Sequence, residues 1–186
     1  MVDEAIRRVL GGDRDAFRVI VCEYQDMAYS IAMSVVKDEL IARDVVQHAF
    51  VRAYNKLAQF RGDAAFSTWL YKILVNEAFR MLRQQGKDKM TCTDPLLDLV
   101  REYDPRDVVD DQQQRQYYVN EALMRMPPNE SLALRLFYLE EKSLKEVSQI
   151  TSWSVENTKV ILYRARISMR MILHDYFKME KQSFDL

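Results

Sequence analysis

The 186-residue chain has few of the residues that build disulfide frameworks and tight turns: two cysteines, four glycines and four prolines. Two cysteines form at most one bridge, which excludes a disulfide-stabilised secreted scaffold and favours a reducing, cytoplasmic location. No apolar run approaches the roughly 18 residues that cross a bilayer. The first ten residues carry acids and arginines where a signal peptide needs an apolar stretch, so neither a signal peptide nor a membrane span is expected.

The sequence also lacks the motifs of common catalytic and metal sites. Its four glycines are too scattered to form a phosphate-binding loop, and no Gly-x-Ser-x-Gly nucleophile motif is present. His48 and His174 lie outside any His-Glu-x-x-His or Cys/His cluster. The sequence therefore predicts no enzyme activity, no catalytic residue, no metal site and no cofactor.

The net charge of −1 hides an uneven distribution of charge along the chain. Residues 91–121 hold eight acidic and three basic residues, and the segments on either side carry a small positive excess. We expect an acidic linker at residues 91–114 between two helical domains, at residues 1–90 and 115–186. The linker is either a simple solvated tether or a shield that keeps basic surfaces from non-specific nucleic acid.

Hydrophobic residues recur every three or four positions through the first half, which predicts amphipathic helices and no strands. Asp13 and Asp38 are placed to cap the first and second long helices. Gly62–Asp63 favours a turn after the second helix. A third helix is expected to start at Ser67 or Thr68.

The second half has the same helical period. A helix over about residues 115–126 is expected to end at Pro127–Pro128, because proline cannot continue it. Asn129 is placed to cap the helix that follows. With the first half, this pattern predicts an all-α protein made of two small helical domains.

A helix-turn-helix layout follows near the end of the chain. Ser143 and Glu146 have the spacing of a capping box at the start of a short helix. After a turn over residues 151–153, Ser154 is placed to cap a longer last helix, which could lie in the major groove of DNA. The basic residues of that last helix are Lys159, Arg164, Arg166 and Arg170.

One face of the third predicted helix combines cations, an amide and aromatic rings. Lysine and arginine pair with phosphates, asparagine can bond a base edge, and aromatic rings stack on exposed bases. The loop from Phe60 to Phe66 could wall a pocket for an unstacked base. An ordinary solvated face, with Trp69 and Tyr71 in the core, is the alternative. The residues of this face are Thr68, Lys72, Asn76, Phe79, Arg80 and Arg83.

Three stretches of the sequence carry a family resemblance. Residues 42–54 (ARDVVQHAFVRAY) are similar to an A-x-D-x-x-Q-x-x-F-x-x-A pattern. Residues 60–62 (FRG) and 66–73 (FSTWLYKI), followed by Asn76, resemble an F-x-T-W-L-Y-x-I-x-x-N pattern. Residues 143–166 contain SLKEV, NTKV and YRAR. In this order and covering nearly the whole chain, they resemble regions 2 and 4 of a bacterial RNA polymerase sigma factor of the extracytoplasmic-function (ECF) group, group 4 of the sigma-70 family.

The resemblance implies a function in transcription initiation. Region 2, at residues 1–90, would bind core polymerase and the −10 promoter element. Region 4, at residues 115–186, would bind the −35 element as duplex. Promoter melting then requires only selective binding to one separated strand, so no covalent chemistry by this chain is implied. The implied partners are the β and β′ subunits of core RNA polymerase, promoter DNA and an anti-sigma factor.

The resemblance also assigns residues to three sites. Those expected to contact the polymerase are Asp44, Gln47, Phe50 and Arg52. Those expected to bind the −10 element, including a base flipped from the non-template strand, are Phe60, Arg61, Phe66, Ser67, Trp69, Lys72, Asn76, Arg80 and Arg83. Those expected to contact the −35 duplex are Ser154, Glu156, Asn157, Lys159, Tyr163 and Arg164.

Three positions depart from the family pattern. Ser152 stands in the helix-turn-helix turn where many relatives have glycine, which tolerates positive φ better than serine does. Ile161 replaces a residue that is often polar or basic, which predicts fewer phosphate contacts. His48 replaces one that is often acidic. Two other functions remain open: a duplex-binding helix-turn-helix regulator with an N-terminal dimerisation domain, and a helical adaptor that does not bind DNA.

Overall fold

The computed structural model describes residues 1–88 and 111–184, and every regular element in these ranges is helical. The prediction of an all-α fold is therefore confirmed. Residues 91–110 of the acidic linker expected at residues 91–114 lie outside the described residues. Residues 111–114 belong to a helix. Within the described ranges, no helix is long and apolar enough to span a bilayer.

The described part of each half contains four α-helices and short turns of other helix types. The first half contains α1 (Val2–Leu10), a 3₁₀ turn (Arg14–Ala16), α2 (Phe17–Val36), α3 (Glu39–Lys56), a 3₁₀ turn (Leu57–Gln59) and α4 (Phe66–Asp88). The second half contains α5 (Asp111–Arg125), α6 (Pro128–Leu134), a π-helical turn (Arg135–Leu139), α7 (Leu144–Thr151) and α8 (Val155–Phe184).

Both predicted side-chain caps of the first half are present. Asp13 accepts a hydrogen bond from the amide of Ala16 at 3.3 Å, in a 3₁₀ turn that leads directly into α2. Asp38 accepts one from the amide of Ile41 at 3.0 Å and begins α3. Between them, Lys37 ends α2 in the left-handed conformation, with φ of 59°. Lys37 and Asp38 together fix where the chain reverses between α2 and α3.

Helix α1 was not among the predicted helices. Its sequence nevertheless carries a helical period, because Val2, Ala5, Ile6 and Val9 fall on one face. Ala5 and Ile6 are buried in the core of the first half. Arg8 lies 2.6 Å from the carboxylate of Asp13, so an ion pair joins α1 to the cap of the next helical segment.

The caps of the second half are confirmed with one exception. The amide of Glu146 donates to Ser143 Oγ at 3.3 Å, and the amide of Ser143 donates to Glu146 Oε2 at 2.9 Å, which completes the capping box. Ser154 Oγ accepts from an amide in the first turn of α8. The prediction that Asn129 caps α6 is wrong: Pro127 holds the capping position and Pro128 is the first helical residue. Proline suits that place because its fixed φ fits the helix and it has no amide to leave unpaired.

The core of the first half lies among α2, α3 and α4, which pack on one another along their apolar faces. Each fully buried aliphatic side chain there contributes about 1.5–3 kcal/mol to stability. The largest buried members from these helices and the turn after α3 are Ile20, Ile31, Val35, Val45, Leu57, Leu70, Tyr71 and Leu74.

The two halves pack directly against each other, a point that the sequence leaves open. Four apolar residues of the second half belong to the core of the first half, and we call them the shared core. At its edge, the ammonium of Lys142 lies 5.6 Å from the centre of the Tyr71 ring. The ammonium of Lys37 donates a hydrogen bond to the carbonyl of Leu123 in α5. The shared-core residues are Leu132, Leu136, Val147 and Ile150.

The second half also has a core of its own, where α5 and α6 pack on α8. This second core orients the helix-turn-helix, because it fixes the start of α8 relative to α6. Its buried members are Leu123, Met126, Ala133, Leu134, Leu162 and Ala165.

Candidate polymerase and promoter interfaces

A groove of about 620 Å³ runs between α2 and α3. Phe17 lines it, with its ring 5.1 Å from that of Tyr54 and 6.4 Å from that of Phe50, centre to centre. Gln47 and Phe50, two of the residues predicted to contact polymerase, line this groove. An apolar groove with polar residues at its rim is the kind of surface that binds an amphipathic helix.

The other two residues predicted to contact polymerase lie on the exposed surface of α3. Asp44 and Arg52 are solvent-exposed and are not part of the groove wall. The structure therefore places all four predicted residues on one helix but divides them between a groove and the surface beside it.

Four aromatic rings cluster where the loop before α4 meets the helix. Phe60 lies 5.4 Å from Phe66 and 5.4 Å from Trp69, and Phe66 lies 5.5 Å from Trp69, between ring centres. The ring of Tyr24 in α2 packs on that of Phe66, with 5.7 Å between ring centres. Phe66 is only 7% exposed, so its ring supports Phe60 and Trp69 and does not itself face solvent.

A cavity of about 330 Å³ opens beside these rings, and we call it the loop pocket. Phe60, Arg61 and Trp69 line it, and Gly62 allows the loop to turn because its φ is 78°. Gln149 of α7 supplies part of the wall, so both halves of the molecule build the loop pocket. Ser67 lies at the start of α4 and does not line it.

The exposed face of α4 continues from the loop pocket. Lys72 lines the pocket, and Asn76 and Arg83 follow it as exposed residues on the same face. Arg80 lies on this face too but is only partly exposed. Thr68, also predicted for this face, lines the loop pocket together with Lys72, but it is only 4% exposed and so is not part of the exposed surface.

Glu77 is a buried carboxylate on α4 that the sequence reasoning missed. Its side chain is 1% exposed, yet three cationic or basic side chains surround it. Arg52 Nε lies 3.1 Å from Oε2, His48 Nδ1 lies 3.5 Å from Oε1, and Arg80 donates to Oε1 from two nitrogens. The sequence feature that could have indicated it is an acidic residue within the apolar stripe of α4, close to buried residues such as Leu74.

The protonation state of Glu77 follows from those neighbours. Burial alone would raise the pKa of Glu77, but the hydrogen bond from Arg80 and the charges of Arg52, Arg80 and His48 outweigh it. The pKa of Glu77 is therefore lowered and the group is a carboxylate at neutral pH. The same hydrogen bond raises the pKa of Arg80.

The predicted −35 residues all lie on the exposed surface of the helix-turn-helix. They stand at the N-cap of α8 and over its first three turns, and Tyr163 is 61% exposed. This surface offers hydroxyl, carboxylate, amide, phenol and cationic groups, which are the groups that read base edges and phosphates. Its residues are Ser154, Glu156, Asn157, Lys159, Tyr163 and Arg164.

The turn between α7 and α8 is built without glycine. Ser152 adopts the left-handed conformation, with φ of 61°. Ser148 Oγ donates to the carbonyl of Trp153 at 2.6 Å, and the amide of Trp153 donates to Thr151 Oγ1 at 3.3 Å. These bonds hold the geometry that glycine would adopt more easily.

Ile161 is half-buried against the second core, which explains an apolar residue at that position.

Comparisons with known proteins agree with this geometry. Residues 20–88, which contain most of α2 and all of α3 and α4, match the family described as Sigma-70 region 2. Residues 117–169, which reach from α5 into α8, match Sigma-70, region 4. The chain is 31% identical to the ECF RNA polymerase sigma-E factor of Haemophilus influenzae over 176 residues, which cover 89% of this chain and 92% of that protein.

The chain belongs to the ECF sigma factors. It is also 29% identical to the ECF RNA polymerase sigma factor SigW of Bacillus subtilis over 184 residues, covering 94% of this chain and 98% of SigW. As an ECF sigma factor, the protein directs RNA polymerase to promoters and is a non-catalytic subunit of that enzyme.

Two solved structures share the fold. The structure of CnrH in complex with the cytosolic domain of CnrY covers 92% of this chain and 96% of CnrH, with a TM-score of 0.64 and 20% identity. The structure of the sigma factor RpoE with the anti-sigma factor NepR from Bartonella quintana covers 85% of this chain and 96% of RpoE, with a TM-score of 0.66 and 20% identity.

Proposed function

We propose that this ECF sigma factor divides promoter recognition between its two halves. Residues 1–90 bind core polymerase through α3 and capture one separated strand of the −10 element at the loop pocket. Residues 115–186 bind the −35 element as duplex through α8. The observation that carries this proposal is the loop pocket, an aromatic-walled cavity that continues into a cationic face of α4.

The loop pocket suits an unstacked base for two reasons. Trp69 and Phe60 offer ring faces, and stacking of a base on an aromatic ring is worth about 1–3 kcal/mol. Lys72 at the pocket, with Asn76 and Arg83 beyond it, supplies charge and hydrogen bonds for the adjoining phosphates and bases. Together these contacts offset the few kcal/mol that unstacking costs.

The −35 half acts on intact duplex. The N-terminal turns of α8 carry the exposed polar residues, and the N-terminal part of a recognition helix is the part that reaches base edges in the major groove. Lys159 and Arg164 supply charge for phosphates, and Asn157 can bond a base edge.

The polymerase is held by the groove between α2 and α3. Gln47 and Phe50 contact a helix of the β′ subunit in the groove, and Asp44 and Arg52 contact it from the adjacent surface. The groove is already formed by the packing of Phe17 on Tyr54, so binding requires little ordering of the chain.

An anti-sigma factor is the further partner that we propose. CnrH is solved with the cytosolic domain of CnrY, and RpoE with the anti-sigma factor NepR. By analogy with those complexes, this protein is held inactive by a protein that covers its DNA or polymerase surfaces. A cytoplasmic location, where polymerase acts, belongs to the same proposal.

Reconstituted transcription tests the division of labour. The full chain and purified core polymerase are combined on a promoter library, and start-site selection is expected. The triple variant Asn76→Ala, Arg80→Ala and Arg83→Ala should then lose binding to a single-stranded −10 probe as holoenzyme while retaining −35 duplex binding. Loss of duplex binding alone, or of self-association alone, would instead favour a helix-turn-helix regulator.

A further inference from the structure

Glu77 connects the two working surfaces of the first half. Its carboxylate lies between α3 and α4, 3.1 Å from the Nε of Arg52, and it accepts hydrogen bonds from the Nε and Nη2 of Arg80. Arg52 belongs to the surface assigned to polymerase, and Arg80 to the surface assigned to the −10 strand. One buried anion thus contacts a cation from each surface.

The hydrogen bonds of Arg80 leave part of its donor capacity unused. A guanidinium has five N–H donors. Two bonds go to Glu77, and Nη1 donates to Gln84 at 2.9 Å. One N–H therefore remains on each terminal nitrogen, and such charged donors bind phosphate oxygens.

A free arginine on a helix surface would sample many rotamers. Two bonds to a buried carboxylate restrict Arg80 to few of them, so less conformational entropy is lost when it binds a strand. Arg52 is half-exposed, with its Nε beside Glu77, so its outer nitrogens remain accessible to a partner. The third neighbour, His48, approaches Glu77 from α3 at 3.5 Å and completes the ring of basic groups.

We propose that Glu77 is a positioning residue that holds Arg80 for a phosphate of the −10 strand and Arg52 for the polymerase surface. It touches neither partner and acts through the two arginines. The proposal rests on the function proposed above, because it takes Arg80 as a strand contact.

A double-mutant cycle tests the DNA arm of the proposal. The full chain is assembled with core polymerase, and binding of a single-stranded −10 probe is measured for wild type, Glu77→Gln, Arg80→Ala and the double variant. Glu77→Gln should weaken binding about tenfold in the wild-type background and less than about twofold in Arg80→Ala. Arg83→Ala is the matched background, since it lies on the same face without contacting Glu77, and there the tenfold loss should persist.

The results separate the two proposals. If Glu77→Gln weakens binding equally with and without Arg80, or not at all, Glu77 has no positioning role and the assignment of Arg80 survives. If Arg80→Ala leaves strand binding unchanged, both proposals fail at this residue.

A second cycle with Arg52→Ala, read out as core-polymerase affinity, tests the other arm in the same way. Thermal melting of each variant shows whether it folds. Where Glu77→Gln does not fold, Arg80→Lys replaces it: lysine keeps the charge but cannot form the fork, and strand binding should fall about as far as in Arg80→Ala. Near-normal binding by Arg80→Lys would overturn the proposal.

Discussion

Ser152 carries a conformational cost at the turn that orients α8. Its φ of 61° lies in the left-handed region, which costs an L-residue about 1–2 kcal/mol and costs glycine little. Glycine loses about 0.5–1 kcal/mol more chain entropy on folding, which offsets part of the difference.

Ser152→Gly is therefore expected to stabilise the protein by about 0.5–1 kcal/mol. Chemical denaturation of the full chain measures the change. Ser152→Ala is the matched control, because it removes the hydroxyl but keeps the strained Cβ, and it should bring no gain. A gain of equal size in both variants would show that the hydroxyl, and not the backbone, is responsible.

Lys37 gives the folded state a pH dependence. Burial, together with the charge of Arg135, lowers the pKa of Lys37 from 10.5 to about 7. Between these values the unfolded chain binds a proton at this lysine that the folded chain has lost, so stability rises with pH. Below pH 7 the lowered pKa of Lys37 reduces the free energy of unfolding by its full amount. Above about pH 10.5 it has no effect, because the lysine is then neutral in both states.

We expect the free energy of unfolding to increase between pH 7 and pH 9, by at most about 1.4 kcal/mol per pH unit from this group. Lys37→Met should remove that increase, and Lys145→Met, on the exposed face of α7, should retain it. Urea denaturation at several pH values measures the slope. An unchanged slope in Lys37→Met would assign the pH dependence to another group.

At the scale of elements, the capping box sets the start of α7. Ser143 and Glu146 satisfy each other's backbone amides, and the hydrogen bonds from Ser143 lower the pKa of Glu146. Loss of an N-cap hydroxyl typically costs about 1 kcal/mol. Helix α7 packs on both α4 and α8 and supplies Gln149 to the loop pocket, so the residue at which it starts affects the pocket as well as the helix-turn-helix.

Ser143→Ala should lower the free energy of unfolding by about 1 kcal/mol at neutral pH. Lys145→Ala, two residues further along the same helix, has no capping role and should change it by less than about 0.5 kcal/mol. Equal effects of the two substitutions in denaturant titrations would show that the box contributes nothing specific.

Local signals predicted the elements better than they predicted the contacts between them. The period of α2, the cap at Asp38 and the box at Ser143 each depend on a few neighbouring residues, so the sequence was sufficient. Asn129 was assigned as a cap because its side chain suits one, whereas the backbone restriction of the proline before it decided the helix start. Thr68 was placed on the exposed face because nothing local shows that α7 covers it.

The residues of the candidate site also differ in whether the local sequence could identify them. Exposed residues on one helix face, such as Asn76 and Arg83, could be grouped from their spacing. Glu77 could not be assigned a role in that way, because its meaning depends on Arg52 from another helix. The contribution of Gln149 to the loop pocket depends on how the halves pack and has no signal within either half.

At the scale of the whole molecule, the shared core makes the stability of one half depend on the other. Leu136 lies in the second half but is fully buried in the core of the first. Leu162 is buried only in the second core. Truncation to alanine therefore removes the same side-chain atoms from the shared core at Leu136 and from the second core at Leu162.

Leu136→Ala should cost about 2–5 kcal/mol, as buried leucine truncations do, and should speed hydrogen exchange in α2 and α4 as well as in the second half. Leu162→Ala should cost a similar amount but speed exchange mainly in α5, α6 and α8. Exchange followed by mass spectrometry distinguishes these patterns. Confinement of the Leu136→Ala effect to the second half would show that the halves unfold independently.

The position of Gln149 has a consequence for how the halves respond to DNA. Under the function proposed above, a nucleotide in the loop pocket would touch side chains of both halves at once. Thermodynamic reciprocity then applies: if the nucleotide strengthens or weakens the adhesion of the halves by some factor, that adhesion alters nucleotide affinity by the same factor. Substitution of Gln149, which is remote in sequence from every other pocket residue, would therefore change nucleotide binding and the adhesion of the two halves together.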